Sequence, residues 1–138
     1  MTAVRVAACQ MDVQLGNLDA NCAAILSRLA DAAGAGAQLV AFPECALTGY
    51  GFESEMAVET VAQSSDGPHV SAVVARGAEL GVQVAVGFVE RAGDRLFNSL
   101  LLAGPDGAQH LYRKLHLPTM GLDRFVSTGD GGFNVAKT

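Results

Sequence analysis

The sequence contains little charge, few aromatic residues and no tryptophan. Only 17% of its 138 residues are charged and 6% are aromatic, whereas 50% are hydrophobic. A disordered chain shows the reverse balance, with high charge and few apolar residues. The composition therefore predicts a folded chain, and the length fits a single domain.

Basic residues are scarce as well. Nine Lys and Arg stand against fourteen Asp and Glu, which gives a net charge of −5, and the basic residues are scattered along the chain. Proteins that bind nucleic acid or anionic membranes usually concentrate positive charge on one surface. No apolar run approaches the roughly 20 residues that span a bilayer. We expect no nucleic acid partner and no membrane partner.

Cysteine occurs three times, an odd number that does not suit a disulfide framework. Cys9 and Cys22 lie among valine and alanine, where a free cysteine usually packs as a small hydrophobic residue. The N-terminal segment also lacks the long apolar region of a secretory signal. We therefore expect a cytoplasmic protein with reduced thiols.

The apolar residues predict an alternation of strands and helices. Strands are expected over residues 4–11, 39–42, 82–90, 96–103 and 109–114, and helices over residues 18–33 and 68–80. Asn17 is the expected N-cap of the first helix, and residues 44–55 are expected to form a loop. This order favours a mixed α/β sheet with helices packed on one face.

The last residues predict the start of a sixth strand. A glycine-rich turn at residues 129–132 precedes an apolar segment at residues 133–135, and the sequence stops three residues later. A strand that has only begun cannot complete the apolar face of a sheet. We expect residues 1–138 to be the N-terminal portion of a single domain whose C-terminal portion is absent.

Glu44 and Lys114 are the first candidates for a functional site. Glu44 directly follows a predicted buried strand, and the ends of strands in open α/β sheets are where sites collect. Lys114 lies at the end of the fifth predicted strand, so its side chain points away from that of Arg113. Each residue taken alone also fits a solvated surface charge.

Three segments change that balance: AACQMDVQLGN near the N-terminus, FPECALTGY around Glu44 and YRKLHLP around Lys114. Together they resemble the nitrilase, or carbon–nitrogen hydrolase, superfamily over essentially the whole chain. The resemblance implies half of a four-layer α-β-β-α sandwich. It also implies that Glu44 is a general base, that Lys114 stabilises an oxyanion, and that a cysteine nucleophile follows beyond this chain.

The chemistry explains this choice of residues. A thiol with an ordinary pKa of about 8.5 is mostly protonated at neutral pH, so a carboxylate must accept its proton. Attack on an amide, nitrile or N-carbamoyl carbon builds negative charge, which an ammonium can stabilise. The scheme uses no cofactor and no metal. The resemblance implies a small-molecule substrate of this type and a homo-oligomeric enzyme.

Cys45 is a poor substitute for the absent nucleophile. It is adjacent to Glu44, and neighbouring residues of an extended chain project to opposite sides. Cys9 and Cys22 occupy predicted core positions in a strand and a helix. We therefore expect residues 1–138 alone to be inactive.

Four further residues are candidates for the site: Asp123, Tyr50, Asn98 and His116. Many family members carry an additional glutamate after the lysine, and Asp123 is the nearest acid here. It either replaces that glutamate or, as we favour, pairs with Arg124 or caps the turn at residues 127–128. Asn98 fits the substrate region or a strand-edge hydrogen bond equally well, and Tyr50 and His116 are candidates for the pocket wall.

The competing hypothesis is a non-catalytic binding or assembly module that keeps the fold. A cysteine after an apolar strand beyond residue 138 would favour the enzyme. A nucleotide-binding domain is disfavoured, because the glycine-rich phosphate-binding motifs are missing. If the enzyme hypothesis is right, Glu44 and Lys114 should meet in one cleft, at the ends of neighbouring strands.

Overall fold

The computed structural model describes residues 3–136 as one sheet with helices against it. The strands are β1 (Val6–Ala8), β2 (Leu39–Ala41), β3 (Gln83–Ala92), β4 (Arg95–Ala103) and β5 (Gln109–Arg113). The helices are α1 (Leu18–Gly34), α2 (Glu55–Val61) and α3 (Pro68–Leu80), followed by a 3₁₀ turn at Gly121–Arg124. No helix within residues 3–136 is long and apolar enough to cross a membrane.

The five strands lie side by side in chain order, β1-β2-β3-β4-β5. β1, β2 and β3 are parallel, because α1 lies between β1 and β2 in the chain and α2 and α3 lie between β2 and β3. β3, β4 and β5 are antiparallel and are joined by short turns. The mixed α/β sheet that the sequence predicts is therefore confirmed.

Helices α1 and α3 cover one face of this sheet. Side chains that alternate along β3, such as Val84 and Val86, pack with Leu101 of β4 into one buried core. Ile25 of α1 and Val73 of α3 are fully buried in the same core. Asn17 caps α1 as predicted, because its side chain accepts a hydrogen bond from the Ala20 amide. The two predicted helices, α1 and α3, thus lie on one face, as expected.

The other face of the sheet, here called the open face, carries the strand side chains that alternate with those of the core. Ala85 of β3, Leu100 and Leu102 of β4 and Tyr112 of β5 point to this side and stay partly exposed, and Val6 of β1 is 56% exposed. Helix α2 packs over one end of it, against Val89 of β3 and Leu96 of β4, while α1 and α3 lie on the opposite face. A face of this composition suits contact with a second sheet, as in a layered sandwich.

Three local predictions were wrong. Helix α2 begins where a loop was expected; its seven residues bury only Val58 and Val61, too few for a periodic signal. Residues 133–135 form no strand: Val135 is 98% exposed, and Phe133 stacks on Tyr112 with ring centroids 6.1 Å apart. β1 has three residues instead of eight, because only Val6–Ala8 pair with β2.

The open face makes a prediction about association. Residues 1–138 as a separate polypeptide should self-associate, because apolar surface beyond a few hundred Å² is rarely left exposed on a monomer. Replacing Leu102 by Asp should weaken this association, measured by sedimentation velocity. Replacing Met56, an exposed residue of α2, by Asp serves as the control. A monomer that unfolds cooperatively would contradict the prediction.

Candidate active site

A tight turn after β2 carries Glu44 onto the open face. The Phe42 amide still bonds the Ala85 carbonyl of β3 (2.9 Å), and the chain then folds back on itself. Amides of Thr48 and Gly49 both bond the Cys45 carbonyl, at 3.1 and 2.7 Å. Cys45 has a φ of 51°, a left-handed conformation that non-glycine residues adopt at some energetic cost. This turn fixes the direction of the neighbouring Glu44 side chain.

Gly87 of β3 makes room for this turn. A Cβ at Gly87 would lie 2.5 Å from the Cys45 nitrogen, a distance that no real side chain tolerates. The Gly87 carbonyl also accepts a hydrogen bond from the Leu47 amide (3.1 Å), so the turn is fastened directly to the sheet. Glycine is therefore required here for close backbone approach. This role was not predicted, since a glycine within a strand indicates only that something packs close to the backbone.

Lys114 joins Glu44 to Asp123. Its Nζ lies 2.7 Å from Glu44 Oε1 and 2.7 Å from Asp123 Oδ2. The Lys114 side chain is 25% exposed and that of Glu44 is 50% exposed, whereas that of Asp123 is fully buried. The structure thus brings Glu44 and Lys114 together at one cleft, as the two motifs predict.

The route by which they meet differs from the prediction. Glu44 follows β2 and Lys114 follows β5, and these strands are separated by β3 and β4. They are not neighbours in the sheet. The contact forms because the turn at Glu44 crosses the sheet above Gly87, while the Lys114 amide bonds the Asn98 carbonyl of β4 (2.8 Å).

Asn98 lies at the centre of the cluster and touches three of its members. Its Nδ2 donates hydrogen bonds to Glu44 Oε1 (2.7 Å) and Asp123 Oδ1 (2.9 Å). Its Oδ1 accepts one from Cys45 Sγ (3.4 Å). Two carboxylates require donors, so these contacts define which way the amide points. Of the two roles considered for Asn98, the structure supports contact with the site, since β4 is an interior strand.

Asp123 belongs to the same cluster, and the expected pairing with Arg124 is wrong. Asp123 Oδ2 accepts a hydrogen bond from the Tyr50 hydroxyl (2.9 Å) in addition to that from Lys114. The Arg124 guanidinium instead donates to the carbonyls of Gly121 (3.4 Å) and Phe52 (3.1 Å). The 3₁₀ turn directs Asp123 inward, which a local sequence pattern does not reveal.

The cluster shifts two proton affinities. Burial lowers the pKa of the Lys114 ammonium, but hydrogen bonds to Asp123 and Glu44 outweigh it and raise that pKa above its usual value. Burial and the hydrogen bond to Asp123 raise the pKa of Tyr50 to about 12. The Lys114 ammonium also lies 5.6 Å from the centre of the Tyr50 ring. Lysine therefore stays charged and tyrosine stays neutral at physiological pH.

The three cysteines are free thiols, and none is arranged as a nucleophile. Cys45 is fully buried and its thiol donates to Asn98. Burial, and then the charges of Glu44 and Asp123, raise the pKa of this thiol above its usual value. Burial likewise raises the pKa of Cys9 and of Cys22. A protonated thiol is a weak nucleophile, so the geometry supports excluding Cys45.

A cavity of about 330 Å³ opens beside the cluster, lined by Glu44, Cys45, Gly87, Asn98, Ser99, Leu100, Tyr112 and Lys114. A larger one of about 490 Å³ lies beside β5 beneath residues 130–136, away from Glu44 and Lys114. We place the candidate site at the smaller cavity, because charged groups converge there. His116 is exposed and lines neither cavity. Within residues 3–136 no cluster of His, Cys, Asp or Glu could hold a metal ion.

Comparison with known proteins gives the family. The carbon-nitrogen hydrolase family model matches residues 5–138. The chain is 36% identical over 133 residues to a nitrilase of Pyrococcus abyssi, covering 96% of this chain and 50% of the relative. It is 35% identical over 122 residues to the bromoxynil-specific nitrilase of Klebsiella pneumoniae subsp. ozaenae, covering 80% of this chain and 35% of that enzyme.

A solved structure agrees with these sequences. A CN-hydrolase superfamily protein of Xanthomonas campestris, with an arsenic adduct in its active site, superposes with a TM-score of 0.79 at 29% identity. The match covers 94% of this chain and 48% of that protein. The chain belongs to the carbon–nitrogen hydrolase family, and its sheet and helices are part of a nitrilase-like fold. It spans between about a third and a half of these three proteins.

Tyr50 gives a test of the cluster by titration. In a Tyr112→Phe variant Tyr50 is the only tyrosine, and its near-ultraviolet tyrosinate signal should titrate at about 12. Since the ordinary tyrosine pKa is about 10, the unfolded chain loses this proton first. Stability from Tyr50 is then fully present below about pH 10 and lost as pH rises through about 12.

A Tyr50→Phe variant supplies the control, because its signal comes from Tyr112 alone. Titration of Tyr50 near its ordinary value in the folded protein would contradict the hydrogen bond to Asp123. The variant Asp123→Asn should move the Tyr50 pKa back down, since it removes the carboxylate charge that opposes tyrosinate.

Proposed function

We propose that this chain contributes two catalytic groups to the hydrolysis of a non-peptide carbon–nitrogen bond, in an amide, a nitrile or an N-carbamoyl compound. The observation that carries the proposal is the Lys114 ammonium, held 2.7 Å from Glu44 at the wall of an open cavity. Charged groups converging in a cleft are typical of catalytic sites. Family membership supports the reaction class.

Glu44 is the proposed general base. Within residues 3–136 both of its hydrogen bonds, from Lys114 and Asn98, fall on Oε1. The other oxygen, Oε2, is left to accept a proton, and the side chain is half exposed toward incoming reactants.

Lys114 is the proposed stabiliser of developing negative charge. Its raised pKa keeps it an ammonium throughout the reaction, so it acts as a fixed positive charge. The fully buried Asp123 holds this ammonium at 2.7 Å, and Asn98 fixes Asp123 by donating a hydrogen bond to its other oxygen. A preorganised charge of this kind avoids reorganisation while the transition state forms. Asp123 is thereby a positioning residue in this proposal.

The proposed nucleophile is a cysteine beyond residue 138. Glu44 takes the thiol proton as sulfur bonds the substrate carbon, and Lys114 stabilises the charge that moves onto oxygen or nitrogen. For an amide, the C–N bond then breaks and the amine leaves with a proton from Glu44. Water, giving a proton to Glu44, attacks the thioester and releases the acid and the thiol. A nitrile forms a thioimidate first and takes up a water before releasing ammonia.

The relatives support a small organic substrate but divide between bond types. Two are nitrilases by name, and a solved N-terminal amidase superposes with a TM-score of 0.73 at 25% identity. The mostly apolar cavity beside Glu44 favours a substrate whose reacting group is attached to an apolar body. We propose this class, and a homo-oligomeric enzyme in the cytoplasm, with neither a nucleic acid nor a membrane partner.

Glutamine in place of Glu44 tests the proposal. In the protein that carries these residues together with a downstream cysteine, Glu44→Gln should lower kcat by about 10²- to 10⁴-fold, because glutamine cannot accept the proton. The measurement is kcat for hydrolysis of a panel of nitriles and amides, determined at steady state from the rate of ammonia release. Glu53→Gln, a change at an exposed loop glutamate nearby, should leave kcat unchanged.

Undiminished turnover in a folded Glu44→Gln protein would remove Glu44 from the mechanism. Residues 1–138 alone should release no ammonia, since Cys45 is buried and protonated. Hydrolysis by this polypeptide that is abolished by Cys45→Ala would instead make Cys45 the nucleophile. If no cysteine follows an apolar strand downstream, the non-catalytic binding or assembly module becomes the better hypothesis.

A further inference from the structure

A second charged network lies on the helix-covered face of the sheet, directly behind the site. Glu90 of β3 is only 2% exposed, yet it carries a carboxylate. Arg113 of β5 bonds it twice, from Nε to Oε2 (2.8 Å) and from a terminal nitrogen to Oε1 (2.5 Å). The Ser99 hydroxyl of β4 donates a third hydrogen bond to Oε2 (2.6 Å). The network therefore joins the three strands β3, β4 and β5.

Arg113 is held more firmly than a surface arginine. Its guanidinium lies 4.1 Å from the centre of the Phe97 ring and also donates to Asp130 (3.1 Å). Asp130 in turn accepts a hydrogen bond from Arg95 (2.8 Å). A planar guanidinium bonded bidentately to a carboxylate is fixed in direction as well as in distance. The orientation of Arg113 is thus defined from several sides.

Arg113 and Lys114 are adjacent, and their side chains leave opposite faces of the same strand end. β5 pairs only with β4 among the described strands, so few backbone contacts resist rotation of its end. Rotation that carried the Lys114 ammonium away from Glu44 and Asp123 would pull Arg113 off Glu90. Gly129 packs against the Arg113 carbonyl, and its amide bonds the Lys114 carbonyl (2.9 Å), which holds the same two residues from outside.

We propose that Glu90 and Arg113 are positioning residues that hold Lys114 in the site from the opposite face of the sheet. This inference rests on the proposed function, which gives the Lys114 ammonium its catalytic role. The contacts of the ammonium with Glu44 and Asp123 can nevertheless be tested without measuring turnover. A buried ion pair often adds little stability compared with apolar residues. Its role here is to fix the direction of the neighbouring ammonium.

The lysine content of the chain allows a direct test. The sequence contains two lysines, Lys114 and Lys137. Only an unprotonated amine reacts with an acylating reagent, so the contacts of Lys114 with Glu44 and Asp123 should slow its acylation. Peptide mass spectrometry of the protein that carries these residues together with a downstream cysteine, after a short reagent pulse at about pH 9, gives the Lys114 rate, with Lys137 as internal reference.

The test variants are Glu90→Gln and Arg113→Gln, and Arg95→Gln is the matched control. Arg95 shares the Phe97 ring and Asp130 with Arg113 but does not bond Glu90. The Lys114 to Lys137 rate ratio should rise at least about tenfold in both test variants, as expected for a pKa lowered by one unit. It should stay unchanged in Arg95→Gln. Urea unfolding followed by circular dichroism establishes that each variant is folded.

An unchanged ratio in folded Glu90→Gln and Arg113→Gln would overturn the inference and leave the pair with a purely structural role. If both variants fail to fold, Ser99→Ala removes the hydrogen bond to Glu90 and leaves the ion pair of Glu90 with Arg113 in place. It should raise the ratio above that of Arg95→Gln, and equality would overturn the inference. An unchanged Lys114 to Lys137 rate ratio therefore refutes the positioning role of Glu90 and Arg113, whereas full activity of Glu44→Gln refutes the proposed function.

Discussion

The Lys114 ammonium shared by two carboxylates is the interaction on which the site depends. Glu44 and Asp123 lie on segments far apart in the chain, and each is 2.7 Å from the same nitrogen. Without the ammonium, two negative charges would face one another across Asn98, one of them fully buried. Burial of an unpaired charge costs several kcal/mol. Lys114 therefore holds the cluster together in addition to its proposed role in stabilising negative charge.

Close backbone packing supplies the geometry for this interaction. The turn bearing Glu44 reaches across the sheet only because Gly87 has no side chain, and Cys45 adopts a left-handed conformation to complete it. The buried Cys45 thiol then donates to Asn98, which donates to both carboxylates. Cys45, which resembles a nucleophile because it is adjacent to Glu44, thus helps to hold Asn98 and, through it, the two carboxylates.

The sheet organises charge on both of its faces. On the open face, Lys114 meets Glu44 at a largely apolar cavity; on the covered face, Arg113 meets the buried Glu90. Both pairs use the end of β5, where adjacent side chains alternate in direction. The open face carries the cavity, and within residues 3–136 helix α2 covers only one end of it, so any packing partner of the remaining face would also form a wall of the site.

Much of the fold could be predicted from the sequence because its signals are local. Helix α3 occupies the predicted residues 68–80, with Pro68 in its first turn. The strands β3 to β5 lie within one or two residues of their predicted bounds, since apolar runs and glycine turns mark them. Helix α2 gave no such signal. Residues 133–135 carried a false one, because the sequence does not show whether an apolar segment pairs with another strand.

The sequence by itself determined the family, through the segments around Glu44 and Lys114, and the opposite directions of Arg113 and Lys114, through strand alternation. Only the tertiary structure decided which further groups join Glu44 and Lys114. For Asp123 we favoured pairing with Arg124 or a cap at residues 127–128 over a place in the site, yet the 3₁₀ turn directs Asp123 to Lys114 and Tyr50. Glu90 showed no local sign of its role, and Gly87 indicated only that something packs close to the backbone. Contacts between residues distant in sequence depend on backbone approach and on strand order, and a local pattern contains neither.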